Sequence, residues 1–257
     1  MKLSKAALCA AVALASMATA SVAFAEDAPS SSVTFNVGVA TDYQFRGVKQ
    51  TVDGVSPFVT GSSPEVFGGV DWSGGPNLYA GVWLSNTGFQ NSNGVETDVY
   101  AGWKPKAGPV TFDLGVIYYT YSNSSDGFVT NDLNTLEWKA AGSIAAGPAT
   151  LGLAAYYSSD YISSDESSWY YELNGSVPVK KDVVLSGAVG QMKSKVFKGF
   201  SGGTDDKYTV WNIGVTVPVT EKVSIDARYV GTDKAATNIW GQFASDDQFV
   251  GTIKATF

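Results

Sequence analysis

Apolar and polar residues alternate with a period of two along most of this chain, and the pattern is clearest in its last ten residues. From Gln248 to Phe257 the sequence reads QFVGTIKATF, with Phe249 and Ile253 on one face and Lys254 on the other. Successive side chains of a strand point to opposite sides of a sheet, so this spacing predicts strands with two different faces. An alternating final strand that ends on Phe is typical of bacterial outer-membrane β-barrels, in which Phe257 would serve as the C-terminal assembly signal.

The same alternation predicts twelve strands. They cover about residues 33–46, 64–72, 78–84, 95–103, 110–118, 136–144, 150–157, 169–177, 183–191, 208–217, 223–229 and 248–257. We assign the apolar face of each strand to the outside and the polar face to the inside. If the third or the seventh segment is not a strand, the number falls to ten.

The connections between these strands alternate in length. Short turns, each with a Pro, are predicted at residues 73–77, 105–109, 145–149, 178–182 and 218–222. Longer polar segments lie near residues 47–63, 85–94, 122–131, 158–167, 193–206 and 231–246. Bacterial outer-membrane barrels have short periplasmic turns and long extracellular loops, whereas a soluble sandwich has no reason to sort its loops. The sequence therefore predicts an all-β protein, a transmembrane antiparallel up-and-down β-barrel with twelve strands.

The first 25 residues have the features of a secretory signal peptide. Lys2 and Lys5 precede an apolar stretch, and Ala23-Phe24-Ala25 fits a small-x-small cleavage site. We expect residues 1–25 to be removed and residues 26–257 to form a single barrel domain in the outer membrane of a Gram-negative bacterium. After residue 25 the chain has no apolar run of the ~20 residues that a transmembrane helix requires.

Composition excludes several functions. Without Lys2 and Lys5, 15 basic and 24 acidic residues remain, a net charge of −9, which argues against a nucleic-acid partner. The chain has no His, and its one Cys is Cys9. We therefore expect no enzyme, no cofactor and no metal site. The expected partners are outer-membrane lipid and lipopolysaccharide, the barrel-assembly machinery, and small hydrophilic solutes or ions.

Aromatic residues cluster near the predicted strand ends, as in the two interfacial girdles of outer-membrane barrels. The residues assigned to the extracellular girdle are Tyr43, Phe45, Tyr118, Tyr157, Trp169, Tyr229 and Phe249, and those assigned to the periplasmic girdle are Trp72, Trp103 and Phe257.

One segment resembles a known family. Residues 42–50 read DYQFRGVKQ. They resemble the Y-x-F-R-G-x-x-Q signature near the mature N-terminus of the TorF-like family of bacterial outer-membrane proteins, through Tyr43, Phe45, Arg46, Gly47 and Gln50. A looser similarity continues through residues 64–72 and 79–83, and this chain has Lys49 where the family commonly has Ser. The resemblance implies an outer-membrane barrel, for which a porin role has been proposed.

The inward face of the predicted barrel is charged. The residues expected to line a pore are Asp42, Arg46, Glu65, Asp71, Glu96, Asp98, Asp113, Glu137, Lys139, Glu172, Asp226, Arg228 and Lys254, nine acidic and four basic. Rings of carboxylates favour cations in a water-filled pore, so weak cation preference is expected. Twelve strands lie between the filled eight-strand barrel and the aqueous sixteen-strand porin, which suits a narrow channel.

Two alternatives stay open at this point. The inward charges could pair across the lumen and plug it, which would leave a closed barrel that acts through its extracellular loops. Arg46, placed at the outer end of the first strand, could form a constriction or could anchor the first loop on a neighbouring carboxylate.

Overall fold

The fold was analysed in a computed structural model, which describes residues 31–51, 64–89, 92–122, 133–180 and 182–257. The predicted signal peptide, with Cys9, lies outside the described residues. So do most of the connections predicted near residues 47–63 and 122–131.

Twelve long strands make up the structure. They are β1 (Ser32–Ala40), β4 (Glu65–Gly74), β5 (Leu78–Phe89), β6 (Ser92–Trp103), β8 (Val110–Tyr121), β9 (Thr135–Ala146), β10 (Ala149–Ser158), β11 (Ser168–Lys180), β12 (Val183–Ser194), β13 (Lys207–Pro218), β14 (Val223–Thr232) and β15 (Gln248–Thr256). Three two-residue strands accompany them: β2 (Gln44–Phe45), β3 (Val48–Lys49) and β7 (Lys106–Ala107).

The long strands form a closed antiparallel barrel. Each pairs with the next one along the chain, with β7 beside β8, and β6 pairs directly with β8. The ring closes between the first and last strands, where Val37 pairs with Ala255 and Val39 with Ile253. Closure leaves no unpaired edge, which is the condition for a sheet to cross lipid.

Helical segments occur at the end of the barrel that carries the long connections, called here the long-loop end. They are a 3₁₀ turn (Tyr161–Ser163), α1 (Val196–Phe200), α2 (Lys234–Trp240) and α3 (Gln242–Ser245). Asp233 caps α2, since its carboxylate accepts a hydrogen bond from the Ala236 backbone N–H at 3.2 Å. Among the described residues, no helix is long and apolar enough to cross a membrane.

The predicted fold class and the number of twelve strands are confirmed, but several boundaries were wrong. The first strand ends at Ala40, not at Arg46. The predicted loop at residues 85–94 is mostly strand, because β5 and β6 stay paired up to Phe89 and Ser92. Pro178 lies within β11 beside a register irregularity, and Pro218 is the last residue of β13.

The two faces of the barrel differ as the alternation predicts. Large apolar side chains are exposed on the outside, among them Val37, Leu114, Trp138, Leu173, Ile213 and Ile253. Polar and charged side chains are buried on the inside, including Glu96, which is 1% exposed. The barrel therefore presents an apolar surface suited to lipid and encloses a polar interior.

The aromatic assignment was wrong at two positions. Tyr118, Trp169, Phe249, Trp72, Trp103 and Phe257 are exposed on the outside. Tyr43 is 5% exposed, however, and the ring of Phe45 contacts that of Tyr119 with centroids 5.9 Å apart. Both residues follow the true end of β1 and so leave the barrel wall instead of continuing its outer face.

Several inward aromatic rings lie flat on inward-facing glycines of the neighbouring strand. The Tyr100 ring covers Gly81, and the Tyr79 ring covers Gly102. The Tyr170 ring covers Gly190 in the same way. A side chain at any of these glycines would overlap the ring. Each glycine therefore lets a large ring rest on the wall instead of projecting across the lumen.

Replacing Gly81→Ala is expected to destabilise the barrel, because the added methyl group overlaps the Tyr100 ring. Overpacking of this kind costs about 1–3 kcal/mol. The measurement is the temperature at which the purified protein loses its folded mobility in electrophoresis. The matched control is Gly142→Ala, where the nearest atom to an added Cβ is 3.6 Å away. Equal midpoints for the two variants would contradict this account of the glycine.

Candidate functional site

Residues 41–51 fold into the barrel instead of continuing its wall, and they are called here the inner hairpin. The two short strands β2 and β3 pair with each other, and the Gln50 backbone N–H donates to the Tyr43 carbonyl oxygen at 2.9 Å. Between the strands, Arg46 and Gly47 both have positive φ, 49° and 81°. Two such residues in a two-residue loop are what a tight type I′ hairpin turn requires. The turn directs the Arg46 side chain into the lumen.

The Arg46 guanidinium is bound by a carboxylate on the opposite wall. Its two terminal nitrogens donate to the two oxygens of Glu137 at 2.8 and 2.7 Å, and both side chains are almost fully buried. Tyr119 donates its hydroxyl to Glu137 Oε2 at 3.0 Å. One guanidinium nitrogen also lies 3.4 Å from the sulfur of Met192. The forked geometry makes this the strongest class of side-chain ion pair.

Aromatic rings surround the same guanidinium. Its carbon lies 4.4 Å from the ring centroid of Tyr170, 5.1 Å from that of Tyr156 and 4.6 Å from that of Phe45. The Tyr170 hydroxyl donates to Glu172 Oε2 at 2.8 Å, which holds this ring in place. Cation–π contacts of this kind add to the ion pair where water is excluded.

Among the described residues, four further ion pairs lie in the lumen, and one of them joins Lys104 Nζ to Asp113 Oδ2 at 4.0 Å. Lys139 Nζ is 2.7 Å from Asp113 Oδ2. Arg228 Nη2 is 3.2 Å from Asp226 Oδ2 and also donates to Ser186 Oγ at 2.9 Å. On the inner hairpin, Lys49 Nζ lies 3.8 Å from an oxygen of Asp42, whose other oxygen accepts from Thr51 Oγ1 at 3.1 Å.

Within the described part of the chain, five inward carboxylates have no such partner. In the described ranges, no Lys or Arg nitrogen lies within 4.0 Å of Glu65, Asp71, Glu96, Asp98 or Glu172. Neutral groups donate to the other carboxylates, as Tyr43 does to Glu96 at 3.0 Å and Ser85 to Glu65 at 3.4 Å, whereas Asp98 lies against the carboxyl group of Glu96. Glu65, Glu96 and Asp98 lie on β4 and β6, so the negative charge is concentrated on one side of the lumen.

The other side of the lumen is apolar at the long-loop end. Phe197 of α1 is fully buried against Tyr208, with ring centroids 5.7 Å apart, and against Trp240 of α2, at 5.5 Å. Val48 of the inner hairpin belongs to the same buried group, as do Met192, Val210, Val230, Ile239 and Val250. This group, called here the upper cluster, packs the inner hairpin against β12–β15.

The thirteen residues predicted to line a pore all fall in or against the lumen. Asp42, Arg46, Glu65, Glu96, Asp98, Glu137, Lys139, Glu172, Asp226 and Arg228 are buried, and Asp71, Asp113 and Lys254 are half-buried. Asp42 and Arg46 were expected on the first strand and lie on the inner hairpin instead. Of the two roles considered for Arg46, the structure shows the anchoring contact to a carboxylate.

Sequence reasoning missed three residues of this site. Tyr156 precedes Tyr157 on β10, and the alternation that places Tyr157 outside places Tyr156 inside, but Tyr156 was not singled out. Met192 was placed beyond the end of its strand, and Phe197 lies in a segment read as a polar loop. In the part of the chain that the structure describes, no group of three or more His, Cys, Asp or Glu is arranged to hold a metal ion.

Replacing Glu137→Gln is expected to release the inner hairpin, because it leaves the buried Arg46 without a counter-charge, a loss of about 3–5 kcal/mol. A cysteine introduced by Val48→Cys, buried in the native hairpin, reports the release. Its labelling by a water-soluble maleimide should be at least about tenfold faster in the Glu137→Gln background.

The control for this measurement is Asp226→Asn, which removes the carboxylate of the wall pair with Arg228 and leaves the hairpin contacts intact. It should not change the labelling rate. Equal rates in the Glu137→Gln and control backgrounds would show that the ion pair does not hold the hairpin.

Comparison with solved structures shows the same fold at low sequence identity. The NanC porin has a TM-score of 0.55 and 10% identity, over 88% of this chain and 99% of that chain. The KdgM porin has a TM-score of 0.52 and 10% identity, over 87% and 98%. The COG4313 outer membrane channel from Pseudomonas putida F1 has a TM-score of 0.53 and 12% identity, over 90% and 96%.

These similarities show that the chain has the β-barrel fold of these proteins. No curated protein sequence matches it. A family profile, in contrast, matches residues 24–257, which is nearly the whole chain. The chain belongs to the Gcw_chp family, described as bacterial proteins of unknown function.

Proposed function

We propose that this protein is an outer-membrane channel that lets ions or small hydrophilic solutes diffuse passively, with a weak preference for cations. The observation that carries the proposal is the lumen, in which charged side chains from both halves of the sheet face inward while the outer face is apolar. The similarity to porin folds and the resemblance to the TorF-like family support the same function.

The cation preference follows from unequal charge. Among the residues that the structure describes, four inward carboxylates are ion-paired, and Glu65, Asp71, Glu96, Asp98 and Glu172 are not. Burying a charged carboxylate in a dry interior without a partner would cost a large amount of folding free energy. Water or mobile cations in the lumen remove that cost. The path for cations would run along β4–β6, where four of these carboxylates lie: Glu65, Asp71, Glu96 and Asp98.

The width of the channel would be small. Twelve strands enclose less space than the sixteen of large aqueous porins. The inner hairpin and the upper cluster occupy part of that space at the long-loop end. Small ions and small hydrophilic molecules are therefore the expected solutes.

A closed barrel that acts through its extracellular loops is the second candidate. The observation that favours it is the upper cluster, whose residues Met192 and Phe197 are fully buried between the helices and the lumen wall. In this case the long loops would contact a partner or lipopolysaccharide, and the lumen would conduct nothing.

The proposal also covers export, assembly and the surroundings of the barrel. The signal peptide would direct export, Phe257 would be recognised by the barrel-assembly machinery, and lipid and lipopolysaccharide would surround the outer face. We propose no enzymatic activity, cofactor or nucleic-acid partner, since the chain lacks His and is acidic.

The purified protein, inserted in a planar bilayer under a KCl gradient, is expected to give discrete current steps with a reversal potential of cation-preferring sign. The triple change Glu65→Gln, Glu96→Gln and Asp98→Asn should reduce that preference, because it removes three carboxylates that lack ion-pair partners. The control is Glu221→Gln, which neutralises an exposed carboxylate at a short turn.

Anion preference in the native protein would show that the assigned charges do not control permeation. A folded, heat-modifiable barrel without any current would support the second candidate function instead.

A further inference from the structure

Residues of the barrel wall surround the Arg46 guanidinium in the way that a binding site surrounds a ligand. The groups that hold its guanidinium belong to the barrel wall, except for Phe45: Glu137 lies on β9, Tyr156 on β10 and Tyr170 on β11. Since these residues are far from the inner hairpin in sequence, the wall keeps the whole set when the hairpin moves away.

The wall groups are held in place without help from Arg46. Glu137 accepts a hydrogen bond from the Tyr119 hydroxyl at 3.0 Å. The Tyr170 ring rests on Gly190, and its hydroxyl donates to Glu172 at 2.8 Å. A site whose groups are fixed before the ligand arrives loses less entropy on binding.

The chemistry of these groups selects one kind of cation. A carboxylate that accepts two parallel hydrogen bonds, at 2.8 and 2.7 Å, matches the planar fork of a guanidinium. Two Tyr ring faces at 4.4 and 5.1 Å stack on the same delocalised cation. A compact ammonium group cannot make the fork, so a primary amine should bind less well.

The inner hairpin is held to the wall mainly by side chains, and it makes fewer backbone hydrogen bonds to the wall than neighbouring strands make to each other. Its two short strands form a sheet of their own, separate from the barrel. Its backbone meets the wall at its two ends: the Thr41 N–H donates to the Gly251 carbonyl oxygen at 2.9 Å, and the Gly88 N–H donates to the Gln50 carbonyl oxygen at 2.8 Å. Arg46 also has a φ of 49°, which is unfavourable for a residue with a Cβ. The barrel therefore keeps its closed ladder if the hairpin leaves.

From this arrangement we infer that the lumen wall carries a binding site for guanidinium-bearing solutes, formed by Glu137, Tyr119, Tyr156 and Tyr170, and that Arg46 is its internal occupant. A solute with a guanidinium group replaces Arg46 and displaces the inner hairpin from the lumen. The inference rests on the proposed channel function, since the solute reaches the site through the lumen.

The test uses ethylguanidinium, which reproduces the end of an Arg side chain, and the variant Arg46→Gly, since Gly suits the positive φ at this position. Isothermal titration of the purified proteins should show that the variant binds ethylguanidinium at least about tenfold more tightly than the native protein. In the native protein the tethered Arg46 competes at an effective concentration of the order of millimolar. Neutral N-ethylurea, of the same shape, should not bind.

Three further variants make the test specific. Arg46→Gly combined with Glu137→Gln should lose the binding, because the carboxylate that accepts the fork is gone. Arg46→Lys, which keeps a charge on the hairpin, should bind with intermediate affinity. Arg228→Ala empties another guanidinium position in the lumen, beside Asp226, and should bind no more tightly than the native protein. Ethylguanidinium affinity that is equal in the native protein and Arg46→Gly, or unaffected by Glu137→Gln, overturns the inference.

Bilayer recordings separate this inference from the proposed function. Ethylguanidinium should block the KCl current through Arg46→Gly at a lower concentration than through the native protein. KCl current without ethylguanidinium binding would leave the channel function standing and overturn the binding site. Binding in the calorimeter without current in any variant would support the site and overturn the channel function.

Discussion

The closed ladder of backbone hydrogen bonds is the constraint on which the rest of this structure depends. In lipid there is no water to form hydrogen bonds with the backbone N–H and C=O groups of an edge strand. Every strand must therefore have a neighbour on both sides. Here the ladder closes between β1 and β15. Closure separates an outer face from an inner face. Because alternate side chains of a strand point to opposite faces, the apolar residues go to the outer face and the polar residues to the inner one. The charged interior is a consequence of that separation.

A closed ring of twelve strands leaves a lumen too wide for its own wall residues to fill, and the chain fills part of it with a segment of its own. The inner hairpin enters directly after Ala40 and brings an Arg to a wall that otherwise has an excess of carboxylates. The Arg46–Glu137 pair compensates one of them completely. Elsewhere, inward Tyr rings pack directly against glycines of the wall. The interior therefore combines a tightly held segment with carboxylates that have no ion pair.

The residues that resemble the TorF-like signature each have a distinct contact in the inner hairpin. Tyr43 donates to Glu96, and Gln50 Nε2 donates to the Val48 carbonyl oxygen at 2.9 Å. Gly47 has a positive φ, and a Cβ there would overlap Val210 and Thr232. In this chain these residues form a turn that fits closely into the barrel and presents Arg46 to the opposite wall. Together their contacts fix the position of the Arg46 guanidinium.

The sequence by itself determined the parts of this protein that depend on local alternation. Twelve strands, their inward and outward faces and the charged interior all follow from a period of two, because each strand repeats that pattern independently. The course of residues 41–51 was not determined in this way, since Tyr43 and Phe45 continue the apolar alternation of β1 while leaving the wall. Only the tertiary structure decided that Arg46 meets Glu137, 91 residues away, because the partner depends on the closure of the whole ring. The tertiary structure also decided the upper cluster, because Phe197 is buried only when helices from two separate loops meet over the lumen.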